Sequence, residues 1–385
     1  MPWKEICNVD DRVRFIAAVK ADPNGNFLRL CEAFGVHRST GYKWVERYNE
    51  LGPAGLEDRT SAPRNCPHRT PDAVADRLVA ERKRHPYDGP KKLRVRLLAA
   101  GVEGLPAAST IGEILDRHGL IRPRRARLRV PPSTDPLAHA HGANDVWCTD
   151  FKGHFPCGER RCHPLTITDA ASRFLIKCEG MAHEKDGPVR EQFELAFHEF
   201  GIPVRIRSDN GGPFATKALG GLSRLSVWWI RLGIVPERIE PGQPQQNGRH
   251  ERFHLTLKQQ TASPPATTFA DQQRAFDVFR ADYNNARPHE ALGMKTPASH
   301  YEPSWRPMPA TPRSPEYDAG WIVRKVKSNG SFSWLGQAVL ATPLLAGEPV
   351  GLRPIDEDEW ELFYGPILLG YVLVRDRKPF VERIR

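Results

Sequence analysis

The first third of the chain carries apolar residues at helical spacing. Three groups of them between residues 11 and 50 predict three helices, with Gly35 at the turn before the third. A second helical block begins at Thr70-Pro71, because proline suits the first helical position, where its missing N–H would be unpaired anyway. The helices expected there span about residues 71–85, 90–100 and 109–118. The N-terminal region is therefore predicted to be all-α.

Downstream of the helical region, strands and helices alternate, and this pattern predicts an α/β core. Strands are expected at 145–151, 163–169 and 173–178, which are close enough in sequence to form an antiparallel meander. A helix from about Pro188 to Phe200 has one apolar face and leads into a strand that ends at Asp209. The core therefore has an antiparallel first half followed by helix and strand.

Residues 317–385 show short alternating runs and are predicted to form a separate, small, barrel-like all-β domain. The runs Trp321–Val326 and Ser331–Val339 flank Asn329-Gly330, and Asn-Gly between alternating runs is the strongest short hairpin signal. We expect these two runs to pair. Such a domain suits either DNA binding or contact between subunits.

Both helical blocks have the spacing of a helix-turn-helix, in which the second helix enters the DNA major groove N-terminus first. The DNA-facing residues predicted in the first block are Arg38, Ser39, Thr40 and Lys43. Those predicted in the second block are Lys91, Lys92, Ser109 and Thr110. Gly41 inside the third helix either weakens that helix or marks a close approach of its backbone. A small helical bundle with no DNA role is the alternative for the first block.

The stretch from Ile121 to His141 is rich in arginine and has no helical period. We interpret it as an extended linker, and its candidate DNA contacts are Arg122, Arg124 and Arg125. A plain soluble tether is the alternative. The predicted divisions of the chain are a helix-turn-helix domain at 1–55, a linker at 56–70, a second helix-turn-helix domain at 71–121, a basic linker at 122–141, an α/β core at 142–305 and the β domain at 317–385.

The composition is typical of a soluble protein that has several domains and binds DNA. The 385 residues suit two to four domains. Residues 1–140 hold 25 lysines and arginines against 17 acidic residues, whereas the remainder holds 31 against 29. The net charge of +10 is therefore mostly N-terminal, where it suits phosphate contact, although a solvated basic face is equally compatible. No membrane-spanning run or signal peptide is evident, so a cytoplasmic protein is expected.

Cysteine usage predicts no disulfide framework, because the seven cysteines are scattered along the chain. The set His154, Cys157, Cys162 and His163 has residue types that suit zinc. It lacks a second matching cysteine pair, and it falls where a hairpin joining two core strands is expected. We favour the hairpin.

Three acidic residues carry the strongest chemical signal. Asp150 and Asp209 each end an apolar-rich strand, where a lone buried carboxylate would be costly unless paired or bound to a metal. Glu251 lies at the start of a predicted helix. Carboxylates from two strand ends and one helix can converge on a pair of Mg²⁺ ions, which prefer oxygen ligands and bridge phosphates. Asp169 also ends a strand, but its sequence predicts a turn in which the side chain bonds the backbone.

The segments around these residues resemble the acidic triad segments of insertion-sequence transposases with a retroviral-integrase-like core. They are Cys148-Thr149-Asp150-Phe151-Lys152-Gly153, Arg207-Ser208-Asp209-Asn210-Gly211 and Asn247-Gly248-Arg249-His250-Glu251-Arg252. The resemblance is close over the middle of the chain and looser in the flanks. The gap between Asp209 and Glu251 is a little longer than is usual in that superfamily, which indicates extra loop.

The resemblance implies a fold class and a chemistry. The fold would be multidomain, with an all-α helix-turn-helix region, an α/β ribonuclease-H-like catalytic core and a small all-β domain. Asp150, Asp209 and Glu251 would hold two Mg²⁺ ions, with Mn²⁺ able to substitute, for DNA cleavage and strand transfer. The partners would be double-stranded transposon ends and target DNA, bound by a homodimer or higher homo-oligomer.

Two further residues belong to the predicted site. If the helix that contains Glu251 starts at Asn247, then Asn247 and Lys258 share its face. Asn247 would orient a terminal nucleotide and Lys258 would bind a phosphate, while an ordinary surface role is equally compatible with both. The rival functions are a catalytically inactive, domesticated helix-turn-helix regulator and a ribonuclease or junction resolvase of the same fold.

Overall fold

The computed structural model describes residues 8–59, 69–121, 139–239 and 248–383. The chain divides into two compact units, Met1–Arg69 and Thr70–Arg385. Four of the predicted DNA contacts lie outside the described residues; these are Arg122, Arg124, Arg125 and Asn247. No helix among the described residues is long and apolar enough to cross a membrane.

The first unit contains the three predicted helices. They are α1 (Asn8–Ala21), α2 (Phe27–Ala33) and α3 (Arg38–Leu51), and a 3-10 helix follows at Gly52–Leu56. The Asn26 side chain caps α2 by accepting from the N–H groups of Leu28 and Arg29, and His37 caps α3 by accepting from the Ser39 N–H. The unit's small apolar core consists of Phe15, Ile16, Cys31, Val36, Trp44 and Leu56.

Close packing explains the glycine inside α3. Gly41 is buried, and a Cβ added there would lie 2.7 Å from Cys31 Sγ and 3.0 Å from the Phe15 ring. A larger residue would force its neighbours apart in a packed core. Of the two explanations offered for Gly41, the close approach of the backbone is therefore confirmed.

The second helical block begins the second unit and forms as predicted. It consists of α4 (Asp72–Arg84), α5 (Pro90–Ala99) and α6 (Ala108–Arg117). Leu78, Leu93 and Leu97 pack with the apolar face of α6 in one buried cluster. The proline at the first position of α5 and the helical spacing of the leucines account for this local structure.

The central sheet of the second unit has ribonuclease-H-like topology, as expected. Its described strands are β1 (Val146–Phe151), β2 (Phe155–Cys157), β3 (Arg160–Asp169), β4 (Leu175–Met181), β5 (Arg205–Ser208) and β6 (Val235–Arg238). The order is β4-β3-β1-β5-β6, with β2 paired to the start of β3. The pairs β1·β3 and β3·β4 are antiparallel, whereas β1·β5 and β5·β6 are parallel. The predicted meander is confirmed.

Four helices cover the two faces of this sheet. They are α7 (Asp186–Phe200), α8 (Arg224–Arg231), α9 (Gly248–Thr261) and α10 (Phe269–Asn285). Helices α7 and α8 bury their apolar residues with Trp147, Ile167 and Ile206 of the sheet. Helices α9 and α10 pack with Cys162 and Cys178. Because successive strand residues point to opposite faces, the residues next to Trp147 and Ile167 turn toward α9.

The C-terminal region is all-β, as predicted. Its strands are β7 (Ile322–Lys325), β8 (Ser331–Trp334), β9 (Gln337–Leu340), β10 (Pro349–Asp356), β11 (Glu359–Tyr364), β12 (Ile367–Arg375) and β13 (Lys378–Arg383). They form a five-stranded sheet of order β13-β12-β11-β10-β7 and a two-stranded sheet of β8 and β9.

The strand pairing predicted around Asn329-Gly330 is wrong. The turn exists, with Gly330 at φ +82° and the Asn329 side chain accepting from the Ser331 N–H. However, β7 pairs with β10, and β8 pairs with β9 across a second turn at Leu335-Gly336. The local signal specifies a chain reversal, whereas burial of apolar residues from distant strands selects the partners.

The C-terminal β region shares an apolar core with helix α8 and the residues just before it. Leu219, Leu222 and Ile230, which flank or lie in α8, belong to the same buried cluster as residues of β10, β11 and β12. Gly220 has φ +59°, and a Cβ there would lie 2.7 Å from Leu369. Glycine is therefore favoured at this position for two reasons, the positive φ angle and the close contact with Leu369 of β12.

Candidate active site

Strand register places Asp150 and Asp209 at neighbouring strand ends of the sheet. In the parallel pair of β1 and β5, Cys148 lies opposite Arg207, and the two aspartates are each two residues further along. Side chains two residues apart on a strand share a face, and neighbouring strands lie about 4.8 Å apart. Ile206 points to the opposite face, into the α7 and α8 core. Asp150 therefore points to the side of α9, and Asp209 follows directly after the end of the neighbouring strand β5.

Helix α9 is held against Asp150 by a buried polar cluster. Thr166 lies opposite Asp150 in the β1–β3 pair, and its hydroxyl donates to the Asp150 carbonyl oxygen at 3.0 Å. The same Thr166 oxygen lies 2.8 Å from His250 Nε2 and 2.9 Å from His254 Nε2. The Nδ1 atom of His254 lies 3.9 Å from Asp150 Oδ2. One threonine therefore links the helix to the aspartate.

Burial sets the charge state of this cluster. It lowers the pKa of His250 to about 4 and that of His254 to about 2, the latter also through His250 and Lys152. Both imidazoles are therefore neutral near pH 7. Burial also raises the pKa of Asp209; the Gly211 N–H, which donates to its Oδ1 at 3.1 Å, opposes this shift, and Glu184 adds to it.

Glu251 lies in the first turn of α9 and is exposed. It follows the buried His250 and precedes His254 by three residues, but its carboxylate is not among the ligand atoms that lie within 4.8 Å of one another at Asp150. Lys258 is also exposed, and it lines a cavity together with Lys152 and His154. The two lysines are cationic side chains close to the predicted phosphate site.

The other prominent aspartate has a structural role. Asp169 is buried; its Oδ2 accepts from the Asn144 N–H at 2.8 Å and its Oδ1 accepts from the Ser172 N–H at 2.7 Å. The predicted turn is confirmed.

One set of His, Cys, Asp or Glu side chains in the described part of the chain gathers three ligand atoms within 4.8 Å of one another. It consists of Asp150, His250 and His254. The donor set therefore suits a divalent cation at Asp150. The set considered for zinc does not form such a group among the described residues. Its cysteines belong to the predicted hairpin of β2 and β3, where burial raises the pKa of the Cys162 thiol to about 12.

The predicted DNA contacts of the first unit are accessible. Arg38, Ser39 and Lys43 on α3 are exposed, and Thr40 is half-buried. The Arg38 guanidinium donates to the Tyr42 hydroxyl at 3.4 Å, and Ser39 Oγ lies 2.8 Å from His37 Nδ1. These residues occupy the first two turns of the helix that a helix-turn-helix presents to DNA.

In the second helical block the predicted contacts point in different directions. Lys91 and Ser109 are exposed and Thr110 is half-buried. Lys92 is half-buried, and its pKa falls to about 8 because of burial and the nearby Arg287. Arg96, which follows Lys92 by one turn of α5, binds both carboxylate oxygens of Asp282 on α10 at 2.9 Å. One face of α5 is therefore turned to the catalytic core.

Sequence reasoning missed Thr166, His250 and Lys152. The signal for the histidines was their spacing, because residues four apart on a helix share a face. Thr166 carried no local signal, since only the register of β3 against β1 places it beside Asp150.

Acidification is expected to destabilise the unit Thr70–Arg385 between about pH 6.5 and pH 5. His250 and His254 are joined by His289, whose pKa burial lowers to about 3, with Lys92 and Arg287 adding to the shift. Unfolded histidines have a pKa of about 6.5, so unfolding takes up protons as the pH falls. This stability is complete above pH 6.5 and is lost on acidification, by about 2 kcal/mol for each histidine at pH 5.

The measurement is urea unfolding in EDTA at several pH values across this range. In a His289→Asn variant, unfolding should take up about one proton fewer, so that its free energy of unfolding changes less steeply with pH. The unit Met1–Arg69 has no buried histidine among its described residues and serves as an internal control. An unchanged free energy of unfolding of the second unit would contradict neutral burial of these histidines.

Family models match most of the helical region and the core. Models of an Integrase core domain match residues 140–244 and 232–297. A Helix-turn-helix domain model matches residues 12–64, and a Homeodomain-like domain model matches residues 40–115.

Similar proteins come from bacterial insertion elements. The insertion element IS407 uncharacterized 31.7 kDa protein of Burkholderia multivorans is 28% identical over 180 residues, which is 46% of this chain and 62% of that protein. The IS476 uncharacterized 39.2 kDa protein of Xanthomonas euvesicatoria is also 28% identical, over 46% of this chain and 50% of that protein. The matched region thus spans half to three-fifths of these relatives. Transposase InsD for insertion element IS2 of Escherichia coli is 24% identical, over 52% of this chain and 68% of that protein.

Two solved structures are also similar to parts of the chain. A chain of the simian T-cell lymphotropic virus intasome is 16% identical, covering 77% of this chain and 99% of that one, with a TM-score of 0.37. The HTLV-2 integrase catalytic core domain in complex with magnesium is 16% identical, covering 42% and 99%, with a TM-score of 0.34. From its family matches and relatives, the chain combines regions that match helix-turn-helix domain models with a region that matches Integrase core domain models, and it is similar to proteins of bacterial insertion elements.

Proposed function

We propose that this protein is a DNA transposase that cleaves transposon ends and joins them to target DNA. The observation that carries the proposal is the parallel pairing of β1 with β5, in which Asp150 lies near the end of β1 and Asp209 follows directly after the end of β5. The transposase relatives and the two helix-turn-helix units support the same function. A protein that only binds DNA has no use for acidic residues at these two strand ends and in the first turn of α9.

The carboxylates of Asp150, Asp209 and Glu251 would hold two Mg²⁺ ions, with Mn²⁺ able to substitute. Bound there, the ions would neutralise the charge that develops on the attacking and leaving oxygens of an in-line displacement. The β1–β3 pair and Thr166 fix Asp150, and Glu251 would be supplied from the first turn of α9. The protein contributes position and charge, and no covalent protein intermediate is required.

The reaction would proceed in two displacements. Water attacks a phosphodiester at the transposon end, the P–O3′ bond breaks, and the end is left with a 3′-hydroxyl. That hydroxyl then attacks a target phosphodiester, forming a new P–O3′ bond and releasing the target's own 3′-oxygen. Lys258 and Lys152 lie beside the site and would bind strand phosphates. Asn247 would orient the terminal nucleotide.

Recognition of the terminal inverted repeats would rest on the two helix-turn-helix units. Arg38, Ser39, Thr40 and Lys43 would read the major groove in the first unit. Lys91, Lys92, Ser109 and Thr110 would contact DNA in the second helical block, and Arg122, Arg124 and Arg125 would follow the backbone. Since two ends must be held together, a homodimer or higher homo-oligomer is proposed.

The test is strand transfer by the purified full chain on a duplex that carries the inverted repeat flanking its gene, with Mg²⁺ or Mn²⁺. Joined product supports the proposal. Specific binding to the repeat with no cleavage or joining would support a DNA-binding regulator instead. Cleavage of an RNA–DNA hybrid, with no action on the repeat, would point to a ribonuclease.

Replacing Arg38 with alanine is expected to weaken binding to the repeat by about tenfold, because a base or phosphate contact is lost at the start of α3. The slope of log affinity against log salt should become shallower by about one if the contact is to phosphate. Fluorescence anisotropy at several salt concentrations measures both quantities.

The matched control is Arg14→Ala on α1, where the side chain is 75% exposed and the same charge is lost. Arg14→Ala should leave the affinity within about twofold of wild type. Equal losses in the two variants would mean that α3 has no special place in DNA recognition.

A further inference from the structure

The imidazole of His254 faces the carboxylate of Asp150 in a buried setting. The separation between Nδ1 and Oδ2 is 3.9 Å, and the two side chains are 9% and 17% exposed. This distance is too long for a hydrogen bond. The two groups therefore point at each other without a direct bond.

The hydrogen bonds of Thr166 determine which nitrogen of His254 carries the proton. A threonine hydroxyl has one proton, and here it goes to the Asp150 carbonyl oxygen. The two imidazole Nε2 atoms at 2.8 and 2.9 Å must then donate to the lone pairs of the same oxygen. Neutral His254 with its proton on Nε2 has a lone pair on Nδ1, directed toward Asp150.

A lone pair facing a carboxylate oxygen calls for a cation between them. Metal bonds to imidazole nitrogen and carboxylate oxygen are each about 2.1 Å long, so two such bonds reach across the observed gap. The Nε2–H of His254, anchored on Thr166, would orient the ring as the outer hydrogen bond of a metal-bound histidine commonly does.

His250 has a different part in the cluster. Its Nε2 lies 2.8 Å and its Nδ1 3.5 Å from the hydroxyl oxygens of Thr166 and Thr168, and the residue is buried. Both ring nitrogens thus face threonines. We assign His250 to positioning α9 and His254.

We propose that His254 Nδ1 is a direct ligand of the divalent metal held by Asp150, which makes the site a mixed nitrogen and oxygen site. Imidazole suits transition metals, whereas Mg²⁺ favours an all-oxygen shell. The site would therefore prefer Mn²⁺ to Mg²⁺, with His254 as the residue that sets the preference. The inference rests on the proposed function in one respect, since it takes Asp150 as a metal ligand.

The test uses Mn²⁺ alone with the purified full chain in the absence of DNA. Electron spin-echo envelope modulation detects nitrogen bound directly to Mn²⁺, and competition with Mg²⁺ measures the metal preference. The variants are His254→Gln, Asp150→Asn and the control His198→Gln. His198 is exposed on α7, which covers the opposite face of the sheet. The substitution His198→Gln therefore removes the same kind of side chain away from the site.

The expected result is nitrogen coupling in the wild type and in His198→Gln, and its loss in His254→Gln with Mn²⁺ still bound. The preference for Mn²⁺ over Mg²⁺ should fall by about tenfold in His254→Gln alone. Mn²⁺ that binds through Asp150 but shows no nitrogen coupling in the wild type overturns the role of His254 and leaves the transposase proposal standing. Absence of any Mn²⁺ or Mg²⁺ binding that depends on Asp150 overturns the inference together with the metal site of the proposed function. Circular dichroism of each variant verifies that the fold is intact.

Discussion

Replacing Asp150 with asparagine is expected to reduce end cleavage and strand transfer by about 10³-fold or more. The amide keeps the shape of the side chain but loses the charge that would hold the metal. Metal-based stabilisation of a phosphoryl-transfer transition state is worth several kcal/mol, and each 1.4 kcal/mol corresponds to about tenfold in rate. Asp209→Asn and Glu251→Gln should act in the same way.

Binding to the inverted repeat should survive these substitutions, since the predicted DNA-reading residues lie on other helices. Gel assays of cleavage and joining, run beside anisotropy measurements of binding, separate the two properties. Wild-type rates of joining in any of the three variants would remove that residue from the catalytic set.

Asp169→Asn provides the matched control, because Asp169 also ends a strand of the same sheet but lies opposite Trp147, near the other end of β1. It should lower the free energy of unfolding, since the carboxylate accepts hydrogen bonds from Asn144 and Ser172 while buried. Asp150→Asn should lower activity with much less effect on unfolding. The comparison distinguishes a catalytic carboxylate from a structural one.

Replacing Arg96 with alanine is expected to destabilise the second unit by about 3–5 kcal/mol, the usual cost of removing one partner of a buried ion pair. Arg96 Nε lies 2.8 Å from Asp88, and its two terminal nitrogens bind Asp282 of α10. Asp88 is 1% exposed and also lies 3.2 Å from Arg287. Removal of Arg96 would leave two carboxylates with much of their compensating charge gone.

The ion pairs of Arg96 also dock the second helical block on the catalytic core. Hydrogen exchange in Arg96→Ala should therefore increase in α4, α5 and α6 before it increases in the central sheet. Strand transfer should fall as well, because the DNA-reading block would lose its fixed position relative to Asp150. Binding to a short repeat duplex should be less affected.

Arg84→Ala is the control for this prediction. Arg84 is 76% exposed and pairs with Glu81 at 3.5 Å, and exposed pairs of this kind contribute about 0–1 kcal/mol. Arg96→Lys keeps the charge but cannot bind a carboxylate through two parallel bonds, so an intermediate loss is expected. A free energy of unfolding for Arg96→Ala no lower than that of Arg84→Ala would mean that the cluster does not stabilise the docked arrangement.

Much of the local structure could be predicted from sequence because it depends on neighbouring residues. The helical period of apolar positions identified α1 to α6, and the strand ending at Asp209 was visible from its apolar run. For the segment from His154 to His163, the spacing of the cysteines was enough to favour a hairpin over a zinc site. Gly41 could only be narrowed to two explanations, since the contact that selects one comes from Cys31 on another helix.

What depended on distant segments could not be predicted in the same way. The turn at Asn329-Gly330 was correct, but the partners of β7 and β8 were set by the shared core with β9 and β10. Lys91 and Lys92 of α5 were assigned to DNA, although Lys92 is half-buried and Arg96, one turn further on, binds a carboxylate 186 residues further along the chain. A basic residue in the sequence can be either exposed to solvent or held in an ion pair. The charge pattern is the same in both cases, and only the packing of the folded chain distinguishes them.

By itself, the sequence determined that Asp150, Asp209 and Glu251 are the candidate catalytic residues, since residue type and position at strand and helix ends are local properties. The tertiary structure decided how α9 meets the sheet. Thr166, His250 and His254 contact one another across 84 to 88 residues of chain. Such contacts arise only when strand register and helix packing place each polar group against its partner in the buried interior.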